Sequence, residues 1–218
     1  MAFFDLTEGP DNRTFAPGQL AGASVRGLGG NDTINGSADA EDINGNTGND
    51  ILSGGGGNDT LLGGRENDII NGNDGNDPCN GNLGNDSVFG GGGDDIVRGG
   101  QDNDSVFGDD GNDFLYGDFG TDFLTGGAGN DVFVLRTGTA VANPAFADVI
   151  NDFGNGIDQI GLTAGLTEAG ISLVSGGGSL PFSASDTLIR IGTGGDFLGV
   201  VLNVTPGLLT GRFTNAPG

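Results

Sequence analysis

Carboxylates return at a fixed interval through the middle of this 218-residue chain. Every ninth residue is acidic at Asp32, Glu41, Asp50, Asp59, Asp68, Asp77, Asp86, Asp95, Asp104, Asp113, Asp122 and Asp131. The chain has no His and one Cys. It therefore holds no Ser-His-Asp triad, no Cys-His pair, no zinc site that uses His or four thiolates, and no internal disulfide. Thirty acidic residues against seven Arg and no Lys give a net charge of −23. That balance argues against nucleic acid as a partner, because phosphate binding needs Lys/Arg patches. The chemistry left to the carboxylate row is oxygen coordination of a hard cation.

The elements that position this row follow from the same period. Residues 27–134 divide into twelve nonapeptides without insertion. Gly opens each of them, from Gly27 to Gly126. Position 4 is Gly except at Asp39, Glu66 and Asp102, and position 5 is Asn in nine repeats. Position 6 is the acid. Position 8 is apolar in all twelve: Ile34, Ile43, Leu52, Leu61, Ile70, Cys79, Val88, Val97, Val106, Leu115, Leu124 and Phe133. Gly tolerates positive φ and close backbone approach, and Asn tolerates left-handed turns. The first six residues of each repeat therefore read as a tight turn with carbonyls facing inward. The last three read as a short strand with its middle residue buried. Cys79 occupies a core slot and reads as a packing thiol.

Residues 27–134 hold 21 acids and two Arg, whereas the flanks are close to neutral. The block needs a counter-charge more than an acidic partner. Turns stacked at about 4.8 Å place like charges where they repel by about 1 kcal/mol in water and several times more in a less polar medium. One buried Ile or Leu contributes about 1.5–3 kcal/mol per repeat, against about 1–2 kcal/mol of backbone entropy for each of nine residues. A cation between the turns answers both problems. Carboxylates and carbonyls suit Ca²⁺, which takes six to eight oxygens in flexible geometry, better than Mg²⁺.

The units Gly54-Gly55-Gly56-Gly57-Asn58-Asp59-Thr60-Leu61-Leu62 and Gly126-Gly127-Ala128-Gly129-Asn130-Asp131-Val132-Phe133-Val134 closely resemble the RTX, or haemolysin-type, calcium-binding nonapeptide. The resemblance covers half the chain. It implies an all-β parallel β-roll, a right-handed solenoid with two nonapeptides per turn. It implies Ca²⁺ between turns two repeats apart, held by position-6 carboxylates and turn carbonyls. One file of ions then runs along Asp32, Asp50, Asp68, Asp86, Asp104 and Asp122, and the other along Glu41, Asp59, Asp77, Asp95, Asp113 and Asp131. The carbonyl ligands it implies belong to Gly45, Gly48, Gly54, Gly57, Gly81, Gly84, Gly90, Gly93, Gly108, Gly111, Gly117, Gly120, Gly126 and Gly129. Up to ten interior sites result. The repeat with Asp39, Ala40 and Glu41 departs from the pattern, as do Glu66 and Asp102. Pro78 removes a ladder hydrogen bond, so a weak spot is expected there.

The flanks read as caps. Residues 1–26 form an N-terminal cap over the first turn, since a solenoid must cover its open end. Residues 135–218 form a β-rich C-terminal cap, with strand-like runs at 132–135, 157–162, 171–174, 187–191 and 197–204 and turns at 176–179 and Pro206-Gly207. Residues 147–162 resemble the segment that follows the roll in secreted RTX proteins. That likeness implies Asp148, Asp152 and Asp158 as further ligands and an uncleaved C-terminal type I secretion signal. Residues 211–218 lack the acidic-then-apolar ending common in protease members. The N-terminus lacks the cationic start and apolar core of a cleaved signal peptide, and no apolar run is long enough for a transmembrane helix.

The expectation is a secreted, non-enzymatic calcium-binding protein that folds as it takes up ions. The alternatives are a calcium-dependent structural or self-assembling protein of the cell surface or matrix, and an enzyme or targeting module acting on acidic polysaccharides, with cell-surface glycans as partners. Arg65, Arg98 and Arg136 read as surface residues paired with nearby acids. Phe3, Phe4, Phe15, Phe146 and Phe153 read as cap and core.

Overall fold

A computed structural model describes residues 2–20, 23–142, 146–163, 166–176, 182–183, 185–192 and 196–216. The nine-residue period becomes a stack of strands in two sheets. Within the repeats these are β4 (Thr33–Asn35), β5 (Asp42–Thr47), β6 (Ile51–Gly56), β7 (Thr60–Arg65), β8 (Ile69–Asp74), β9 (Pro78–Leu83), β10 (Ser87–Gly92), β11 (Ile96–Gln101), β12 (Ser105–Asp110), β13 (Phe114–Phe119), β14 (Phe123–Ala128) and β15 (Val132–Leu135). Odd strands lie in one sheet and even strands in the other, so two nonapeptides complete each turn. Pairing is parallel with an offset of eighteen residues: Ile43 lies beside Leu61, and Leu61 beside Cys79. The architecture is the all-β parallel β-solenoid expected from the repeat.

The strands are longer than the three residues read from the sequence. Each six-residue strand starts at position 7 and runs through positions 1 to 3 of the following repeat. Their side chains alternate, with positions 8 and 1 inward. All twelve position-8 residues are buried, and they join one continuous core with Phe15 and Leu20 at one end and Ile150, Ile160, Ile189 and Leu209 at the other. Gly at position 1 leaves room for the neighbouring aspartate and for the glycine carbonyl of the next turn. Pro78 is the first residue of β9 and points outward, which is where a strand tolerates proline. Cys79 fills its core slot as expected.

Both flanks join the two sheets. β1 (Ala2–Asp5) and β3 (Ala23–Arg26) extend the odd-strand sheet, and β2 (Asn12–Thr14) extends the even one. After β15, β16 (Asp148–Ile150) adds to the even sheet, and β17 (Gln159–Leu162) with β21 (Phe213–Asn215) adds to the odd sheet. The pairing then changes sense. β18 (Ile171–Ser175), β19 (Thr187–Ile191) and β20 (Phe197–Val201) form an antiparallel meander joined to β16 through β20. Pro206-Gly207, read as a turn, opens a single helical turn, α1 (Pro206–Leu209), with proline where a helix start accepts it. The turn read at 176–179 falls mostly outside the described residues.

The aromatic expectation needs correction. Phe15 is buried, and Phe4 and Phe153 pack against the core. Phe3 and Phe146 are exposed at 52% and 59%. Phe3 carries the Arg26 guanidinium over its ring, so a surface cation–π contact replaces the core role.

Because Leu61 sits fully buried between Ile43 and Cys79 of the adjacent turns, Leu61→Ala is expected to cost about 2–5 kcal/mol in denaturant unfolding of the calcium-loaded protein. Thr47→Ala, on the exposed rim of β5, should change stability by less than about 0.5 kcal/mol. Equal effects at the two positions would contradict the packing.

Candidate metal centre

The turn between strands carries the acidic residue inward. All twelve position-6 acids are buried, although eleven of them are short aspartates and none pairs with a cationic side chain. The backbone explains half of this arrangement. Oδ1 of Asp32 accepts the Asp11 N–H, and in every later aspartate Oδ1 accepts the N–H of the position-6 residue one turn earlier: Asp32 donates to Asp50, Asp50 to Asp68, Asp68 to Asp86, Asp86 to Asp104 and Asp104 to Asp122. The other row runs from Glu41 to Asp59, Asp77, Asp95, Asp113 and Asp131. The bonds measure 2.7–3.0 Å. The structure thus brings the acids together in two axial files.

The other half is unexplained by protein atoms. Oδ2 of all eleven aspartates is buried without a hydrogen-bond partner. An unpartnered buried carboxylate oxygen is costly. Around it the backbone leaves a cradle. A Cβ on Gly45 would overlap Asp50 Oδ2 and approach the Gly63 carbonyl to 2.7 Å. The same holds at Gly54 with Asp59 Oδ2 and the Gly72 carbonyl, at Gly81 with Asp86 and Gly99, at Gly90 with Asp95 and Gly108, and at Gly108 with Asp113 and Gly126. At Gly117 and Gly126 the space is bounded by Asp122 Oδ2 and Asp131 Oδ2. Position 1 is glycine because that space faces oxygen, not because of φ. Positive φ falls instead at positions 2 and 4. Gly48, at +125°, lies against the Gly30 carbonyl of the previous turn. Gly57, Gly84, Gly93, Gly111, Gly120 and Gly129 repeat that approach, and Glu66 and Asp102 adopt the same hand at 70° and 77°.

The oxygens fit a hard cation. Carboxylate Oδ2 and backbone carbonyls are the ligands Ca²⁺ takes, and no thiolate or imidazole competes for a softer ion. Among the described residues no point gathers three or more acidic or thiol side chains. A cation here would rely on one aspartate per turn of each file and on the main chain.

Burial, followed by like charges on adjacent turns, raises the aspartate pKa values in the absence of a cation. Asp50, Asp59, Asp86, Asp122 and Asp131 are pushed up to about 6, Asp95 and Asp113 to about 7, and Asp68 and Asp104 to about 8. Asp32 and Asp77 move in the same direction, chiefly through burial.

Other expected ligands divide by geometry. Asp148 Oδ1 accepts the Asp122 N–H at 3.2 Å, and Asp158 Oδ1 accepts the Asp131 N–H at 3.1 Å. Both files therefore continue one turn past the repeats, across 26 and 27 residues instead of eighteen. Asp158 also accepts the Gly154 N–H through Oδ2, and both oxygens of Asp152 accept the Gly126 and Gly127 N–H groups. Glu41 is longer and turns back, accepting from the N–H and hydroxyl of Ser37 in its own turn. Asn at position 5 is not left-handed, contrary to expectation. Its side-chain oxygen accepts the position-5 N–H one turn on, from Asn31 to Asn49, Asn67, Asn85, Asn103 and Thr121, at 2.8–3.1 Å. Sequence reasoning missed this brace; the signal was Asn recurring where neither Gly nor Ser replaces it.

The sign of the pH effect follows. Raised folded-state values favour the roll while the aspartates are protonated, below about pH 4, and that stability is lost as pH rises through 6 to 8. In chelator, far-UV circular dichroism should show most sheet near pH 4 and least near about pH 8. In calcium the order should reverse, because protons compete with the metal. A metal-free sheet signal that grows from about pH 4 to pH 8 would contradict the buried carboxylates.

The family model for the RTX calcium-binding nonapeptide repeat matches five overlapping stretches, residues 23–52, 44–77, 53–88, 72–106 and 98–133. Together they cover half of the chain, over the same turns that carry the orphaned oxygens. No curated protein shows significant similarity to it. The repeats, the two-sheet solenoid and the matched stretches agree, and the chain belongs to the RTX calcium-binding nonapeptide repeat family.

Proposed function

We propose that this is a secreted protein whose β-roll assembles on binding several Ca²⁺ ions between its stacked turns. The observation that carries the reading is the set of eleven buried Oδ2 atoms without partners. When bound, Ca²⁺ supplies the positive charge that lets neighbouring carboxylates stay ionised one turn apart. Oδ2 of Asp32, Asp50, Asp68, Asp86, Asp104 and Asp122 would hold one file, and Oδ2 of Asp59, Asp77, Asp95, Asp113 and Asp131 the other. The position-1 and position-4 carbonyls complete each set. Asp148 and Asp158 extend the files. Glu41, already engaged by Ser37, is the weakest member, so the second file starts at Asp59.

The chain's own groups divide the work. Oδ1 fixes each carboxylate against the backbone, and Asn braces the outside of the turn. Glycine keeps the cradle open. The reading is non-enzymatic, because these acids are buried and bound to main chain instead of facing a cleft.

Secretion fits the energetics. Where free Ca²⁺ is scarce the acidic block repels itself and stays loose, a state suited to threading through a channel. Outside the cell, millimolar Ca²⁺ reaches the range of extracellular modules, about 10⁻⁴–10⁻³ M. A site with a dissociation constant of about 10⁻⁴ M then adds about 1.4 kcal/mol in millimolar Ca²⁺, and several sites make folding steep. Among the described residues no helix is long and apolar enough to cross a membrane.

Cys79 supplies an internal reporter. It is buried in the core ladder, and burial followed by the charges of Asp77, Asp95 and Asp59 pushes its thiol pKa up. In excess chelator at neutral pH the protein should give a coil spectrum, and Cys79 should react readily with a thiol reagent. In millimolar Ca²⁺ it should give a sheet spectrum with Cys79 protected. A full sheet spectrum and a protected thiol in chelator would defeat the proposal.

A further inference from the structure

We propose that the outer face of the odd-strand sheet binds a linear glycan carrying carboxylate or sulfate groups. Both sheets are built from the same repeat, and each leaves an open trough beside the inward glycines, of 600 Å³ on the odd face and 590 Å³ on the even face. The two troughs carry opposite charge. The even one is lined by Asp74, Asp109 and Asp110, with no Arg among its lining residues. The odd one is lined by Arg65 and Arg136. Arg98 lies over the Tyr116 ring, with its guanidinium carbon 4.0 Å from the centroid, and reaches Asp118 at 3.3 Å. Asp118 also takes Arg136, so one carboxylate in the trough is shared by two guanidiniums, and Arg65 stands apart from them. The odd trough's lining therefore carries one positive charge in excess, Arg65 and Arg136 against Asp118, whereas the even one carries three acids. The sequence expectation that all three would pair with acids holds for Arg98 and Arg136. Arg65 has no ion-pair partner among the described residues, and its neighbour Glu66 turns to the Gly48 N–H at 2.9 Å.

The remaining lining sets the ligand class. Asn44 and Asn80 spend their carbonyl oxygens on the N–H groups of Asn46 and Asn82, which leaves their amide NH₂ groups without a partner among the described residues. Together with Gln101 they match hydroxyl groups. Leu62 and the half-exposed Phe119 ring offer apolar surface for sugar-ring faces. The trough runs across the strands from β5 to the end of β15, five spacings or about 24 Å, which suits an extended polymer and not a compact molecule.

The trough requires the folded roll and so rests on the calcium reading. The test uses the full chain in millimolar Ca²⁺, with circular dichroism on every sample. Titration calorimetry measures binding of hyaluronate oligosaccharides, of chondroitin sulfate oligosaccharides, and of dextran oligosaccharides of equal length. Binding to at least one acidic glycan, none to dextran, and a loss of about tenfold or more in affinity with Arg65→Glu is expected. The first two probes separate carboxylate from sulfate recognition. Asp110→Asn in the opposite trough should leave binding unchanged. A formed sheet with no acidic-glycan binding, or equal binding by Arg65→Glu, overturns the trough alone. Self-association that Arg65→Glu abolishes, with no glycan bound, assigns the face to a second copy and also overturns it. A coil spectrum in calcium overturns both readings.

Discussion

A buried aspartate with one oxygen satisfied and the other exposed to nothing is the constraint on which this molecule depends. Oδ1 spends itself on the N–H of the turn before. That bond fixes the carboxylate within the turn and prevents it from swinging out to water. Oδ2 is then held, without a donor, against glycine Cα and a carbonyl. Such an oxygen must be protonated or must meet a cation. The repeat imposes the choice at eleven places, and it imposes the same answer at each.

The rest of the structure follows from keeping that arrangement identical from turn to turn. The eighteen-residue offset places each acid over its counterpart, and the position-8 ladder fixes the distance between sheets. Glycine at position 1 is required by the oxygens that face it. Asn at position 5 closes the outside of the turn by a similar device run in the opposite direction: its side-chain oxygen accepts the equivalent N–H one turn on, whereas Asp accepts from one turn back. Since each turn touches only its neighbours, the proposed binding at one site would order half of the next and make assembly along the axis cooperative. The ends need other means. Phe15 and Leu20 plug one end, and an antiparallel meander changes strand direction at the other.

Much of this was legible in residue spacing. Twelve glycines, twelve acids and twelve apolar residues in fixed phase specify a stack of turns, their inner face and the ion class. Pairing across eighteen residues came with the family resemblance and agrees with the observed register. Spacing alone could not distinguish why each glycine is there. Position 1 avoids a clash with oxygen, whereas position 4 takes positive φ, and even Glu66 and Asp102 accept that hand. Nor could it show that Asp148 and Asp158 carry on the two files, because they follow Asp122 and Asp131 by 26 and 27 residues instead of eighteen and so fall out of the period. Glu41 illustrates the opposite limit. One extra methylene lets its carboxylate reach back to Ser37, a difference that the shared negative charge conceals.

The most direct measurement of the central claim is an anomalous-scattering map from crystals grown in calcium, collected at a wavelength where calcium scatters anomalously and water does not. The account predicts a peak beside each aspartate Oδ2, arranged in two rows parallel to the solenoid axis, with Glu41 the weakest position. An ordered roll at neutral pH whose Oδ2 atoms border only water or empty space would contradict it.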